Sequence, residues 1–484
     1  MSHRLSKSKF LSASQCSKKI WLEIHENEKS TPLSESQESI FESGINVGEL
    51  ARSYFPNGEI IDLEHYDVDN GLKKTILISK DNPYAIYEGF FLYDDVIIRP
   101  DILKNNFDGT WDLIEVKSST SLKSENIVDL AIQNYVINSS HIKIKNSYLM
   151  HINKNCIYPD LTNLFSFIDL SEKIKPFVNE MHNNLSNLRE ILRSSEPKVD
   201  IGAHCNKPYV CDFKQYCWQH IPEYSIFNIP GLYMKKKEQM YKNDIVKISD
   251  LNDNYSFKSK EKKFIDSFLT KSPLISKYEI RQEINSLIYP LYFLDFETYG
   301  SPIPKFSGMK PFQQYPFQFS CHILYKNNTL EHIEYLHQDQ SDPRKGVINE
   351  LIKACGKSGT IIAYNASFEK GVINKLSSQF PEYSQKLNTL IGRFWDQLVI
   401  FRKYYCDYRF KGSNSIKSVL PVLVPELSYS KLKISDGSQA QIGYKKMIDL
   451  PNGEEKKNLT RGLYEYCKLD TLAMVEIHKH LLKI

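Results

Sequence analysis

The chain has 484 residues, enough for two or three domains that each bury a core, which excludes a peptide hormone or a disulfide-stabilised miniprotein. Hydrophobic residues make up 41% and charged residues 25%, so the composition is that of a folded protein and not of a disordered one. The net charge of +4 is uninformative about nucleic acid, because a basic groove can exist within a nearly neutral total.

The sequence predicts a cytoplasmic protein without membrane contact. No apolar run approaches the ~18 residues that span a bilayer, and the first residues lack the apolar core of a signal peptide. The nine cysteines are an odd number in a chain without an export signal. We therefore expect metal binding or plain burial for them, and no disulfide framework.

The first predicted elements form a hairpin followed by a helix. Residues 94–104 (DDVIIRPDILK) and 111–119 (WDLIEVKSS) are predicted to be strands. The Asp108-Gly109 pair between them is typical of a tight turn. Apolar residues three to four apart in residues 122–137 predict an amphipathic helix.

This hairpin carries two acids and a lysine. Side chains at i and i+2 of a strand share a face, so Glu115 and Lys117 project together, and Asp101 on the neighbouring strand can come alongside. Two carboxylates can hold a divalent cation that activates water against a phosphodiester, and a lysine can orient that water. A bare E-x-K is otherwise typical of a solvated strand with a weak ion pair.

The pattern D-x13-E-x-K, with an acid before it and a glutamine on the following helix, resembles the PD-(D/E)XK nucleases of the RecB-like branch. The resemblance implies a restriction-endonuclease-like domain whose metal site includes Asp101 and Glu115. That branch usually has a histidine in its first motif, and the matching helix at 42–55 offers none, so metal binding is either weaker or completed by Glu88. The full set of catalytic residues expected there is Glu88, Asp101, Glu115, Lys117 and Gln133.

Three cysteines follow a C-x5-C-x5-C spacing and a fourth lies far upstream: Cys205, Cys211, Cys217 and Cys16. Zinc favours cysteine pairs two to four residues apart, so this spacing favours an iron-sulfur cluster. One cysteine ahead of the nuclease core and three behind it resembles the iron-sulfur members of the RecB-like family, which implies a structural 4Fe-4S cluster on these four residues. A zinc ion, and His204 or His220 as a substitute ligand, remain alternatives.

Beyond a lysine-rich helical connector around residues 233–264, a strand, a strand-helix pair and a closing helix carry a second set of acids. Asp295 and Glu297 are two apart on a strand and share a face, whereas Tyr466 and Asp470 are four apart on a helix. Glu369 follows the middle strand. Acids from three distant segments repel one another unless cations lie among them.

A D-x-E pair alone is common on solvated strands, but D-x-E, N-x3-E and Y-x3-D in this order resemble the DnaQ-like DEDD exonucleases with a tyrosine in the last motif. The likeness covers residues 290–484 and implies an RNase H-like domain. By that likeness, Asp295, Glu297 and Asp470 hold two Mg²⁺ or Mn²⁺ ions, and Tyr466 orients water for release of nucleotides from a 3′ end. The middle motif normally ends in Asp; here it is Glu369, with Asp396 as an alternative.

The whole chain is similar to a bacterial family of unknown function with this two-part layout. We expect an α/β (α+β) protein with a nuclease domain at 1–224, a helical connector at 225–285 and an exonuclease domain at 286–484. The expected function is metal-dependent cleavage of nucleic acid, DNA before RNA, in DNA repair or defence against foreign DNA. A binding or scaffold protein with degenerate sites is the alternative.

Overall fold

The computed structural model describes residues 4–252 and 254–484 of a mixed α and β protein. This agrees with the α+β class expected from the sequence. The chain divides into two compact units: the first runs to His220 and includes Ser301–Gln313, and the second comprises Ile221–Gly300 and Gln314–Ile484. No helix in the described ranges has the length and apolarity needed to cross a bilayer.

In its described residues, the first unit contains nine strands and seven α-helices, and these helices range from 5 to 23 residues in length. Its strands are β1 (Leu5–Ser6), β2 (Glu59–Ile60), β3 (Ala85–Tyr87), β4 (Phe91–Tyr93), β5 (Val96–Ile98), β6 (Ile102–Asn105), β7 (Trp111–Lys117), β8 (Ile144–Ile152) and β9 (Phe165–Asp169). Its helices are α1 (Lys7–Gln15), α2 (Ser17–His25), α3 (Glu35–Arg52), α4 (Val68–Lys80), α5 (Ser124–Asn138), α6 (Ser171–Arg193) and α7 (Lys214–Trp218).

A six-stranded sheet of order β2-β3-β6-β7-β8-β9 forms the centre of this unit. Strand β7 pairs antiparallel with β6 and parallel with β8, so it lies inside the sheet. Alternation places Leu113 in the core cluster on one face and Ile114 in the cluster on the other. Because both faces of β7 are covered, a carboxylate on this strand is forced into a buried position.

The predicted hairpin is present, but its first strand is not continuous. Asn105 pairs with Trp111, and Gly109 adopts a φ of +84° in the turn between them. Residues 94–104 form two strands, because Pro100 has no N–H for the ladder. Strand β5 joins a separate sheet of order β1-β5-β4, and β6 begins after Asp101.

The second unit begins with helices and continues into a mixed sheet. Its helices are α8 (Met234–Lys242), α9 (Ser259–Thr270), α10 (Lys277–Asn285), α11 (Arg344–Ala354), α12 (Ser367–Gln379), α13 (Ser384–Ile391), α14 (Leu398–Lys403), α15 (Ile416–Leu423), α16 (Gly437–Asp449) and α17 (Glu454–Leu481). Its strands are β10 (Leu274–Ile275), β11 (Leu291–Tyr299), β12 (Tyr315–Leu324), β13 (Leu330–Leu336), β14 (Thr360–Ala363), β15 (Phe394–Asp396) and β16 (Tyr405–Cys406).

The main sheet of the second unit has the order β13-β12-β11-β14-β15. Strand β11 pairs antiparallel with β12 and parallel with β14, which puts it at the centre. The segment predicted as a helical connector contains α8, α9 and α10, and its apolar side chains, among them Met240 and Phe264, form a small core of their own.

A row of polar side chains on β12 holds the long helix α17 against this sheet. Gln318 donates to the carbonyl of Leu463 over 2.9 Å, and the hydroxyl of Ser320 lies 2.7 Å from the hydroxyl of Thr471. The Nδ1 atom of His322 lies 2.8 Å from the same hydroxyl. These side chains occupy every second position of β12, so all three face α17. They fix the position of α17 along the helix axis.

Candidate functional site

Three segments that are far apart in sequence meet at one pocket of the second unit. Strand β11 contributes Asp295 and Glu297, the first turn of α12 contributes Glu369, and α17 contributes Tyr466 and Asp470. All five line a cavity of about 250 Å³. The structure therefore brings together every residue that the sequence predicted for the second site.

Two of these acids belong to a close group of potential metal-ligand atoms. In residues 4–252 and 254–484, one group of three potential ligand atoms has all of its atoms within 4.8 Å of one another. It consists of one atom each from Asp295, Glu297 and Cys467. Burial raises the pKa of the Cys467 thiol, so it stays protonated at neutral pH. A neutral thiol is a poor ligand for Mg²⁺ or Mn²⁺, which leaves the two carboxylates as the ligands of this group.

The charge of this pocket is not neutralised by the protein. Burial, with repulsion from Asp470 and Glu297, raises the pKa of Asp295 well above its ordinary range. Burial raises the pKa of Glu369 to about 8, and its Oε2 atom has no hydrogen-bond partner. Burial also raises the pKa of Glu297. Buried acids whose ionisation is disfavoured, one of them with an unpaired oxygen, are expected where a cation belongs.

Asp470 is supported by two residues that the sequence did not single out for this purpose. The Tyr429 hydroxyl donates to Oδ1 of Asp470 over 2.6 Å. Burial raises the pKa of Asp470 to about 6, and Tyr429, Lys417 and Tyr466 limit that rise. Lys417 donates to the carbonyl of Ser435 over 2.6 Å and lies 5.6 Å from the Tyr429 ring. No local spacing pointed to Tyr429, which is 41 residues before Asp470.

Asp396, the alternative to Glu369, has a different role. Its Oδ1 atom accepts hydrogen bonds from the backbone N–H groups of Asn365 over 2.9 Å and Leu398 over 3.0 Å. Asn365 has a φ of +79°, which these bonds help to hold. Asp396 thus fixes the loop that precedes α12, while Glu369 is the acid that lines the pocket.

In the first unit, Glu115 is the centre of a buried hydrogen-bond network. It accepts hydrogen bonds from Lys117 over 2.5 Å and from Gln133 over 2.7 Å, as the sequence predicted by placing the three together. A third donor, Lys7, lies 2.9 Å from the same carboxylate. Burial alone would raise the pKa of Glu115, but Lys117, Lys7 and the hydrogen bonds hold it below its ordinary value.

Asp129 completes the network and was not predicted. It accepts from Lys117 over 2.8 Å and from Gln133 over 2.8 Å, and it lies 3.2 Å from the ammonium of Lys7. Asp129 precedes Gln133 by four residues on α5, so their shared helix face was a usable signal. Lys7 precedes Glu115 by 108 residues, and no sequence pattern connects them.

The two remaining predicted acids of the first unit lie in different surroundings. Asp101 accepts from the backbone N–H of Val116 over 2.6 Å, and burial together with repulsion from Glu115 raises its pKa to about 7. Glu88 is paired with Arg52 at 3.2 Å and Arg99 at 3.8 Å. Glu88 therefore borders the site but has its charge already balanced.

The four predicted cysteines line a single small cavity of the first unit, together with His204. Burial raises the pKa of Cys211 to about 11 and also raises the pKa of Cys217. Along the described chain, no three of these sulfur atoms lie within 4.8 Å of one another, whereas sulfurs on one zinc ion at about 2.3 Å are roughly 4 Å apart. In the described residues, the four cysteines therefore share a cavity without forming a preassembled site for a single zinc ion.

Comparisons with known proteins give a partial family match. Residues 292–415 match a family described as "Domain of unknown function (DUF2779)". None of the curated proteins compared with the chain matches it. Among solved structures, one titled "Crystal structure of SSO0001" is 12% identical, covers 39% of this chain and 78% of its own, and has a TM-score of 0.19.

Proposed function

We propose that this protein is a metal-dependent nuclease with two active sites, an exonuclease site of the RNase H-like, DnaQ type in the second unit and a RecB-like site in the first. The observation that carries the proposal is the pocket at which four carboxylates from three distant segments meet: Asp295, Glu297, Glu369 and Asp470. Each of these side chains sits where its negative charge is disfavoured.

Divalent cations explain why such a pocket persists. Like charges a few ångströms apart destabilise the folded chain unless ions offset them, and Lys417 is the one cation lining the cavity in the described ranges. Asp295, Glu297 and Asp470 would hold the ions, with Glu369 as a further ligand. A bound Mg²⁺ or Mn²⁺ supplies Lewis-acid activation of a phosphodiester and of its attacking water.

The protein residues around the ions have separate tasks. Burial keeps the Tyr466 phenol protonated, so it can donate to or orient a water molecule without losing its proton. Tyr429 fixes the carboxylate of Asp470. Glu297 and Asp470 are only 7% and 8% exposed, and this burial favours the end of an unpaired strand over the side of a duplex as the substrate.

The first unit carries a second site with a smaller charge imbalance. Two ammonium groups, from Lys7 and Lys117, face the carboxylates of Glu115, Asp129 and Asp101. This site needs less added positive charge than the pocket of the second unit. Asp101 and Glu115 would hold its metal ion, and Lys117 would stabilise charge that develops on the phosphate.

The cysteine cavity supports a structural 4Fe-4S cluster. Cys16 lies between α1 and α2, while Cys205, Cys211 and Cys217 come after the central sheet. A cluster on all four would join the two ends of the first unit. An anaerobic preparation should be coloured and contain iron, whereas a colourless, iron-free preparation would favour zinc.

A nuclease assay tests the function. Labelled single- and double-stranded DNA and RNA are incubated with Mg²⁺ or Mn²⁺ and with wild type, Asp295→Asn, Glu115→Gln and the double variant. The exposed Glu350→Gln change on α11 is the matched control. We expect each single variant to lose one activity; equal inertness of wild type and double variant on every substrate would overturn the proposal.

A second candidate is a nucleic-acid-binding or scaffold protein. It is favoured by the first site, where Glu115 already receives three hydrogen bonds from protein side chains. Binding of labelled nucleic acid without cleavage under any metal condition would support this alternative.

A further inference from the structure

A second cavity adjoins the acidic pocket in the second unit. It has a volume of about 510 Å³ and shares three wall residues with the acidic pocket, Tyr364, Asn365 and Ile416. Its remaining walls contain no carboxylate and consist of Lys260, Leu398, Arg402, Gly412, Asn414 and Ser415. Neither the catalytic proposal nor the family match gives this cavity a role.

The cavity is positively charged at its rim. Lys260 and Arg402 are both exposed, and in the part of the chain that the structure describes neither forms an ion pair. The positive charge of Arg402 acts on the Tyr364 hydroxyl in the shared wall, where it opposes the rise in pKa that burial causes. Two cationic side chains without ion pairs thus lie beside a pocket of four carboxylates. A surface that contacts only solvent does not require this separation of charge.

The walls of the cavity are held in place by hydrogen bonds. The Tyr364 hydroxyl donates to the carbonyl of Asn414 over 2.7 Å, and Asn414 in turn donates to the carbonyl of Phe401 over 3.1 Å. Gly412 has a φ of +79°, and a Cβ atom there would lie 1.8 Å from the carbonyl oxygen of Asn228. The loop at 412–415 is therefore pinned to α14 and presents a preformed wall.

We infer that this cavity binds the sugar-phosphate backbone of an unpaired nucleic acid strand, next to the nucleotide held in the acidic pocket. Arg402 and Lys260 bind the uncleaved phosphates, because such phosphates need cationic side chains while the cleaved one is held through metal ions. A volume of about 510 Å³ is in the range of small-ligand sites and accommodates a nucleotide unit. The inference rests on the proposed function of the adjoining pocket.

Another large cavity of this unit, of about 520 Å³, is a weaker candidate. It lies along α17 and includes Glu334 and Glu465 among its lysines and arginine. It shares no residue with the acidic pocket. Carboxylates in the wall oppose a phosphate backbone, so the cavity beside Arg402 is the one that fits.

A binding experiment tests the inference without relying on cleavage. Fluorescence anisotropy of a labelled single-stranded DNA of about ten nucleotides is measured in EDTA with wild type and with the double variant Lys260→Ala, Arg402→Ala. Lys403→Ala is the control, because Lys403 is also exposed on α14 but does not line the cavity. Circular dichroism and thermal unfolding check that each variant is folded.

We expect the double variant to bind about tenfold or more weakly, and its salt dependence to fall by roughly 0.7 in log-log slope per lost phosphate contact. Lys260→Arg with Arg402→Lys should retain most binding. In a Glu115→Gln background, KM should rise with little change in kcat. Unchanged affinity and salt slope in the double variant would overturn the inference. If wild type proves inert yet the double variant loses binding, the nuclease proposal fails and the strand-binding cavity stands.

Discussion

The pocket of four carboxylates should lower the stability of the metal-free protein while allowing it to bind metal ions. The substitution Glu369→Gln can measure both effects. The Glu369 side chain is 3% exposed and one of its oxygens has no hydrogen-bond partner. A carboxyl whose pKa is higher in the folded than in the unfolded chain keeps its proton only when folded. The metal-free protein should therefore lose stability as the pH rises from about 4.5 to about 8.

The size of this effect follows from the pKa. Burial raises the pKa of Glu369 from 4.5 to about 8. At 1.4 kcal/mol per pH unit, the folded state is penalised by at most roughly 4 kcal/mol at pH 8 and roughly 1 kcal/mol at pH 5. Replacing the carboxylate by an amide removes the pH-dependent part, about 3 kcal/mol. A buried amide without a hydrogen-bond partner costs roughly 1 to 3 kcal/mol, and this cost is the same at both pH values.

The assay is unfolding by heat and urea in EDTA at pH 5 and pH 8, with hydrogen exchange of α12 as a probe local to the second unit. Glu350→Gln, an exposed carboxylate paired with Lys353 over 2.6 Å, is the control. Added Mn²⁺ should stabilise wild type more than Glu369→Gln, because a ligand that binds only the folded state stabilises it. A Glu369→Gln protein whose stability relative to wild type is the same at both pH values would refute this reasoning.

Three further predictions concern single contacts. Lys7→Met removes one of three donors to Glu115, and activity of the first site, measured in an Asp295→Asn background, should fall about tenfold or more; full activity would show that Lys7 is dispensable. Cys211→Ser should lower the iron content and the unfolding temperature of the first unit, and an unchanged metal analysis would exclude Cys211 as a ligand. Tyr429→Phe removes a hydrogen bond that lowers the pKa of Asp470, so the acidic limb of the pH-rate profile should move to higher pH; an unmoved limb would count against this role.

Elements with a strong local pattern were predictable from sequence. Residues 291–300 were predicted to form a strand and contain β11, and the apolar spacing in residues 122–137 predicted α5. The break of residues 94–104 at Pro100 was missed, although a proline within a strand is a local signal against a continuous ladder. Strand β5 pairs with β1, which begins at Leu5, and no local pattern encodes that choice.

The candidate sites also have a part that was predictable from local sequence patterns and a part that was not. Acids at fixed spacing on one strand or helix were predictable, since geometry places Asp295 beside Glu297. The groups that neutralise or orient those acids were not, because Lys7 and Tyr429 arrive from separate segments. A buried charge requires a partner, but sequence does not say which of many lysines or tyrosines supplies it.

The polar row on β12 has a consequence for the spacing of the acids in the pocket. If α17 moved along its axis by one turn, Asp470 would shift by about 5.4 Å, and Gln318, Ser320 and His322 would each lose a buried partner. The separation between the strand-borne and helix-borne carboxylates is thus dictated by the interior of the sheet. Changes in the loops at the rim of the pocket should leave this separation unaltered.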